Sequence, residues 1–256
     1  MKAVLCGFGR AGQEILSQLS LHPEFDRDRI LVYTHEGAQN EQFLTFLRHG
    51  RYNFSTASIN KDFDRVAAFA PDVLVSAYYR NIIRDRVLEL VDFRAVNMHP
   101  SLLPDYRGTF SSVWAILNGE AETGVSYHFM TSEVDGGNIL LQKRLNIAAD
   151  DTAWSLYNKL IALFVANFGE AFKRLLNGDA GQAQDPDAPR RYYSRSLPHD
   201  GRLVAAETEY SYAERFVRAM YYPPFAPAIF EVDGRDVSIA STDELNTIRS
   251  AFRGES

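Results

Sequence analysis

The chain up to residue 99 alternates short apolar runs with segments whose apolar residues recur at helical spacing. Apolar runs separated by amphipathic helices of about ten residues are typical of right-handed β-α-β crossovers. The pattern therefore predicts an α/β fold, a Rossmann-like, doubly wound and mostly parallel sheet. The predicted strands lie in KAVLCGFG, ILVYTH, PDVLVSAYY and FRAVNMH, and the predicted helices in RAGQEILSQLSL, EQFLTFLRHG, DFDRVAAFA and IIRDRVLELV.

The rest of the chain indicates a catalytic domain over residues 1–180 and a small C-terminal α+β appendage over 190–256. TGVSYHFMT and ILLQKRLNIA alternate like antiparallel strands around the turn SEVDGGN, after a short helix in SSVWAILNGE. A long helix follows, with Asp151 or Thr152 as its N-cap and Gly178 as its stop. DAGQAQDPDAP is predicted to be an exposed linker. The appendage should contain a helix around YAERFVRAMYY and a hairpin around Asp233-Gly234.

Composition excludes several classes of protein. A net charge of −6 disfavours general binding to nucleic acid, and the apolar runs are too short to cross a membrane. The start, MKAVLCGFG, lacks the pattern of a signal peptide, and the single Cys6 is expected to be a buried, inert thiol, so a cytoplasmic location is expected. The histidines lack metal-ligand spacing, which predicts no metal site.

The stretch GFGRAG, residues 7–12, follows a strand and opens a helix. This is the spacing of a dinucleotide-binding turn, so a dinucleotide-dependent oxidoreductase or a nucleotide-binding module is one interpretation. A second is that the helix N-terminus and Arg10 bind another diphosphate, with Gly9 close to the ligand. The third is a plain turn. The sequence alone leaves the three open.

The stretch NMHPSLLPDYRG, residues 97–108, begins at the carboxyl end of a predicted strand, where open α/β sheets build their clefts. Asn97 and His99 are two residues apart, so their side chains point to the same face. An amide can donate to a developing oxyanion, and an imidazole can transfer a proton near neutral pH. A purely structural Asn-x-His pair is the alternative.

Asp135 lies in the Gly-flanked turn of EVDGGNIL. A carboxylate at this turn can orient His99, stabilise its protonated form and accept a proton. The alternative is an ordinary hairpin turn, since Asp-Gly sequences favour one.

The two stretches NMHPSLLPDYRG and GVSYHFMTSEVDGGNILLQ, in this order, resemble the 10-formyltetrahydrofolate-dependent formyltransferase family over residues 1–180. The resemblance implies the formyltransferase fold and transfer of a formyl group from 10-formyltetrahydrofolate to an amine, without a metal. It also implies that Asn97, His99 and Asp135 form a catalytic trio.

The YRG ending of the loop resembles the tRNA and sugar branches of that family. The tail RFVRAMYYPPFAPAIF is similar to the end of members that act on GDP-perosamine, so the expected acceptor is a nucleotide-linked amino deoxysugar used in surface polysaccharide. Formylation of methionyl-tRNA is the alternative. A homodimer is expected, and the basic segment RRYYSR is expected either to bind a diphosphate or to face solvent. Expected folate contacts are Tyr78, Arg80, Ile82 and Asp135, and expected substrate contacts are Gly9, Arg10, Arg107, Tyr222 and Phe225.

Overall fold

A computed structural model describes residues 1–254. Its strands are β1 Ala3–Gly7, β2 Ile30–Tyr33, β3 Asn53–Ser55, β4 Val73–Ala77, β5 Ala95–His99, β6 Arg107–Gly108, β7 Glu122–Phe129, β8 Ile139–Asn146, β9 Tyr192–Tyr193, β10 Arg202–Val204, β11 Ala228–Val232 and β12 Arg235–Ile239. Its α-helices are α1 Gly9–Leu21, α2 Glu41–His49, α3 Phe63–Phe69, α4 Asp85–Leu88, α5 Ser111–Leu117, α6 Ala153–Leu176, α7 Tyr210–Met220 and α8 Thr242–Asn246.

The main sheet has seven strands in the order β3-β2-β1-β4-β5-β7-β8. The pairs from β3 to β5 are parallel, whereas β7 runs antiparallel to β5. Every residue of β1, β2 and β4 is buried, as expected for parallel strands covered on both faces. The predicted α/β class with a mostly parallel sheet is confirmed.

Two glycines set the distance between β1 and the first turn of α1. A Cβ on Gly12 would lie 2.9 Å from the carbonyl carbon of Gly7 and 2.8 Å from the Phe43 ring. A Cβ on Gly7 would lie 2.9 Å from the Cα of Gly12. GFGRAG therefore packs helix on strand at a distance that excludes side chains at both positions.

The chain divides into two compact units. Unit 1 comprises residues 1–99, 125–142 and 161–188, and unit 2 comprises residues 100–124, 143–160 and 189–256. Unit 2 therefore includes the C-terminal segment together with two segments from the middle of the chain. The sequence instead predicts two continuous segments, a catalytic domain over 1–180 and an appendage over 190–256. That division into functional domains stays a prediction.

Unit 2 contains the predicted tail helix and hairpin. β11 and β12 are antiparallel, and Val232 pairs with Arg235 around Asp233 and Gly234, which both have positive φ. Those φ values suit a two-residue hairpin turn. Of the two predicted caps of α6, the structure selects Thr152, whose Oγ1 accepts from the Ser155 amide at 3.1 Å.

Among the strands and α-helices of residues 1–99, two differ from the prediction. The sequence pattern missed β3, because it has only three residues at the edge of the sheet and lacks a continuous apolar run. The helix predicted in IIRDRVLELV is a single turn, α4, followed by a 3-10 turn that ends at Asp92 and Phe93, both with positive φ.

No helix among residues 1–254 is both long and apolar enough to span a membrane.

The glycine packing predicts opposite effects for two matched substitutions. Gly12→Ala should lower the free energy of unfolding by about 1–3 kcal/mol, because the new methyl overlaps the main chain of β1. Gly169→Ala, in α6 where no atom lies within 4 Å of a new Cβ, should raise it by about 0.5–1 kcal/mol. Urea unfolding of both variants measures this, and equal effects would contradict the packing described.

Candidate active site

Strand β5 carries Asn97 and His99 to the carboxyl edge of the parallel strands. Asn97 is paired with His128 and His99 with Ser126 across the antiparallel neighbour β7. Directly paired residues place their side chains on the same face of a sheet. The strand pairing therefore puts an amide and two imidazoles side by side without any loop.

The third member of the predicted trio, Asp135, lies on the turn after β7. Asp135 has a positive φ of 51°, a conformation that costs a residue other than glycine about 1–2 kcal/mol. Gly137 keeps the turn close to the sheet, since a Cβ there would lie 2.0 Å from the Phe129 carbonyl oxygen. The turn thus directs the Asp135 carboxylate back onto the β5–β7 pair.

The Asp135 carboxylate lies between the two imidazoles. Its Oδ2 is 3.4 Å from His99 Nδ1, and its Oδ1 is 3.4 Å from His128 Nε2. Asn97 Nδ2 lies 3.5 Å from Oδ1 and 3.1 Å from His128 Nε2. The side chains of His99, His128 and Asp135 are 4%, 3% and 9% exposed, so these charges interact with little screening by water. The structure therefore brings together all three members of the predicted trio.

The hydrogen bonds indicate where protons lie. His128 Nδ1 is 2.9 Å from the Phe129 carbonyl oxygen, so it carries a hydrogen and donates. His128 Nε2 then accepts from the Asn97 amide, whose second hydrogen faces Asp135. His99 contacts the carboxylate through Nδ1. Its other ring nitrogen, Nε2, is therefore directed away from Asp135. The arrangement can hold a protonated His99 beside a carboxylate, with an amide donor adjacent.

Sequence reasoning missed His128. The sequence does place His128 near the end of a predicted strand, in TGVSYHFMT. Pairing this strand with AVNMH in the observed register aligns His128 with Asn97. A single sequence does not fix that register, so the second buried histidine was not assigned to the site.

The residues predicted to contact folate follow β4 in unit 1. The guanidinium of Arg80 lies 3.8 Å from the centroid of the Phe8 ring and donates to Gln39 Oε1 at 2.7 Å. Tyr78 packs edge-on against Phe164, whereas Ile82 is 71% exposed. Arg80 is thus oriented by its neighbours, and Ile82 presents apolar surface.

Gly9 and Arg10 lie at the start of α1. The Gly9 amide donates to Asn40 Oδ1 at 2.7 Å, and buried Asn40 is oriented by donating to Thr34 Oγ1 at 2.8 Å. Arg10 is exposed and lies 3.8 Å from Glu14. The amide that a dinucleotide-binding turn would present to phosphate is therefore engaged within the protein.

In unit 2, Arg191 of the segment RRYYSR makes several contacts with other parts of the chain. Arg191 forms a bidentate ion pair with Asp105, its Nη2 also reaches Glu120 at 2.8 Å, and its guanidinium lies 4.2 Å from the centroid of the Tyr106 ring. Arg191 is 41% exposed as well as paired, so the two interpretations of this segment, diphosphate binding and a solvent-facing surface, stay predictions. Its partners Asp105 and Tyr106 lie in the PDYRG loop, a pairing that only the folded chain reveals.

Strand pairing also fixes the end of that loop. Arg107 pairs with Tyr192 and Gly108 with Tyr193, and the Arg107 side chain is 8% exposed. A Cβ on Gly108 would lie 2.2 Å from the Tyr193 carbonyl oxygen. Arg107 is thus buried in unit 2, and its predicted contact with substrate stays a prediction.

Tyr222 and Phe225 belong to an aromatic group in unit 2. The Tyr222 ring lies 5.2 Å from both the Trp154 and Tyr157 rings and 5.8 Å from that of Phe225. Phe225 is 50% exposed. The group offers ring faces and edges for contact, and a substrate role for the two residues stays a prediction.

Residues 1–254 contain no cluster of three or more His, Cys, Asp or Glu side chains placed to hold a metal ion.

Comparison with known proteins gives a consistent result. A family model described as Formyl transferase matches residues 28–167. The GDP-perosamine N-formyltransferase of Brucella melitensis biotype 1 is 39% identical over 256 residues, which cover 99% of this chain and 96% of that protein.

Solved structures share the fold. The crystal structure of WlaRD, described as a sugar 3N-formyl transferase with dTDP and 5-N-formyl-THF, has a TM-score of 0.76 at 21% identity and covers 93% of this chain and 84% of that one. The N-formyltransferase of Helicobacter canadensis, in complex with folinic acid and dTDP-3-aminofucose, has a TM-score of 0.75 at 20% identity, with coverages of 93% and 86%. At these identities the likeness establishes the fold alone.

The Arg191–Asp105 pair predicts a pH-dependent stability. Partial burial raises the pKa of Asp105, but hydrogen bonds from Arg191 and from the Tyr106 amide outweigh it and leave that pKa below its ordinary value. A carboxyl with a depressed folded pKa stabilises the fold above its unfolded pKa, and this stabilisation is lost as pH falls through the folded value.

Arg191→Met should therefore lower the free energy of unfolding by about 1–2 kcal/mol at pH 7, a value that allows for the partial exposure of the arginine. The deficit should shrink steadily below about pH 4, near the unfolded pKa of an aspartate. Arg29→Met, at an exposed arginine, is the control. A deficit that is independent of pH in urea unfolding would contradict the ion-pair account.

Proposed function

The chain belongs to the formyl transferase family, and we propose that it transfers the formyl group of 10-formyltetrahydrofolate to the amine of a nucleotide-linked amino deoxysugar. The observation that supports this proposal most strongly is that Asn97 and His99 both contact the Asp135 carboxylate. Asn97 Nδ2 lies 3.5 Å from Oδ1, and His99 Nδ1 lies 3.4 Å from Oδ2. An amide, an imidazole and a carboxylate are the groups that such a transfer needs.

In the proposed reaction the amine nitrogen attacks the formyl carbon, so a carbon–nitrogen bond forms and the carbonyl oxygen becomes an oxyanion. His99 stabilises that oxygen through Nε2, the ring nitrogen opposite the Asp135 contact. The buried carboxylate favours the protonated form of His99 through its opposite charge. The oxyanion then re-forms the carbonyl as the bond between carbon and the folate nitrogen breaks, and the folate nitrogen receives the proton that Asp135 has taken from the attacking nitrogen.

Asn97 is the second proposed donor to the oxyanion. Its two amide hydrogens face His128 at 3.1 Å and Asp135 at 3.5 Å, so it must exchange one of these contacts to reach a substrate oxygen. The contact with Asp135 is the longer and weaker of the two. Donation to the oxyanion therefore leaves Asp135 with one hydrogen-bond donor fewer at the moment when it must accept a proton.

Asp135 is the proposed acceptor of the proton that the attacking ammonium loses. Loss of a neighbouring donor raises the proton affinity of a carboxylate. The same group thus holds His99 charged while the oxyanion forms and then takes up a proton as the amide product forms.

The proposed acceptor is GDP-perosamine, since the Brucella protein of that activity is 39% identical along nearly the whole chain. A product of this kind would serve surface polysaccharide such as lipopolysaccharide O-antigen. The net charge of −6 supports a sugar nucleotide over tRNA, because tRNA binding requires neutralising many phosphates.

Further parts of the proposal concern binding and assembly. The residues proposed to contact folate are Tyr78, Arg80, Ile82 and Asp135. Those proposed to contact the sugar nucleotide are Gly9, Arg10, Arg107, Tyr222 and Phe225. A cytoplasmic enzyme acting as a homodimer is proposed as well, and sedimentation of the purified protein measures its oligomeric state.

The direct test is formyl transfer from 10-formyltetrahydrofolate, followed by release of tetrahydrofolate. GDP-perosamine should be formylated in preference to dTDP-4-amino-4,6-dideoxyglucose, its 3-amino isomer and methionyl-tRNA. Turnover on methionyl-tRNA alone would favour the tRNA branch. No turnover, together with thermal stabilisation by NAD but not by a folate analogue, would return the interpretation to the GFGRAG turn.

Variants of the trio sharpen that test. His99→Ala and Asp135→Ala should fold normally and lose about 100- to 1000-fold in kcat, the usual cost of removing one donor to an oxyanion. His49→Ala, at an exposed histidine in α2, should retain full activity. Near-normal kcat in both trio variants would overturn the assigned roles.

A further inference from the structure

The segment after α6 is attached to the turn that carries Asp135, although its sequence predicts a linker. Ile139 and Gln182 exchange two main-chain hydrogen bonds, of 2.7 and 2.8 Å. Asn138 Nδ2 donates to the Ala180 carbonyl at 3.0 Å. Gly181 makes this approach possible, because it has a positive φ and a Cβ there would lie 2.8 Å from the Ile139 carbonyl oxygen. Residues 180–184 are thus docked beside β8, at the exit of the turn.

Gln184 reaches further into the turn than the rest of this segment. Its carboxamide nitrogen donates to the Asp135 carbonyl at 2.7 Å and to the Gly137 carbonyl at 2.9 Å. A carboxamide nitrogen has two hydrogens, and these two carbonyls use both. Gln184 therefore fixes two main-chain groups that lie two residues apart, one of them belonging to Asp135.

Fixing these carbonyls matters because the Asp135 backbone is strained. A left-handed conformation of a residue other than glycine persists only where the surroundings impose it. The carboxylate contacts His99 and His128 at 3.4 Å each, so a small rotation of the turn would lengthen at least one contact. Both bonds from Gln184 act on the main chain that determines this rotation.

We propose that Gln184 is a positioning residue, which holds Asp135 in the geometry required for formyl transfer by bonding the carbonyls of Asp135 and Gly137. The inference rests on the proposed function for its catalytic consequence but not for its structural one. Gln184 acts through Asp135, which is not among the proposed contacts of the sugar nucleotide, so its loss should lower kcat and leave the binding of that substrate intact.

The test compares two substitutions of similar size. Gln184→Glu keeps the length of the side chain and replaces the donor by a carboxylate that repels both carbonyls, while Gln184→Met keeps the length and removes hydrogen bonding. Each should lower kcat about 10- to 100-fold, the range expected when a reacting group is misplaced by an ångström or less. KM for GDP-perosamine should stay within about twofold of wild type, since ground-state binding of the sugar nucleotide is unchanged.

Gln182→Glu is the matched control, because it introduces the same charge in the same segment at an exposed side chain. It should retain the kcat of the wild type. A comparable loss in Gln182→Glu would assign the effect to charge and overturn the proposal. Unchanged circular dichroism and melting temperature verify folding, and Gln184→Met decides the matter if Gln184→Glu does not fold.

Amide hydrogen exchange gives a readout that is independent of activity. Exchange in residues 131–139 should accelerate in both Gln184 variants and stay unchanged in β1. Faster exchange with unaltered kcat would overturn the positioning role, and so would a rise in KM at constant kcat. If the wild type formylates no acceptor, the proposed function fails, while the exchange data still decide whether Gln184 holds the turn.

Discussion

The contact on which the site depends is that of one carboxylate with two imidazoles. A carboxylate that is only 9% exposed is strongly destabilised unless charged or polar groups compensate for the lost water. Asp135 finds that compensation in the His99 imidazole and the Asn97 amide, both on β5, while His128 on the antiparallel neighbour β7 orients that amide. The reversal of strand direction at β7 is therefore what makes the site possible, since it aligns Asn97 directly with His128.

The two sides of the site differ in rigidity. Asn97 and His99 lie on a central strand that is bonded to both neighbours, so their positions are set by the sheet. Asp135 lies on a turn with a strained backbone and depends on a distant segment for support. Such a turn can adjust as Asn97 changes its hydrogen bond and as the proton arrives. The rigid side fixes the two proposed oxyanion donors, and the adjustable side carries the proposed proton acceptor.

The sequence was sufficient for features that depend on local pattern. Apolar periodicity predicted the parallel sheet, and strand alternation placed Asn97 and His99 on one face. Asp135 was a candidate from its Gly-flanked turn, but an ordinary hairpin stayed open until the family resemblance implied the trio, because spacing along a chain does not show where a turn points. His128 and Gln184 were missed for a related reason: each acts through a strand register or a docked segment that forms only on folding. The pairing of Arg191 in RRYYSR with Asp105 was also invisible in the sequence, because the two residues are 86 positions apart.

The central claim is that Asp135 and His99 act as one unit, and a double-mutant cycle on kcat tests it most directly. Asp135→Asn, His99→Gln and the double variant would be compared in formyl transfer to the preferred acceptor. Groups that act as a unit lose most of their effect with the first substitution. The account predicts that the double variant is scarcely slower than the slower single variant. Losses that multiply, as for two independent residues, would contradict it.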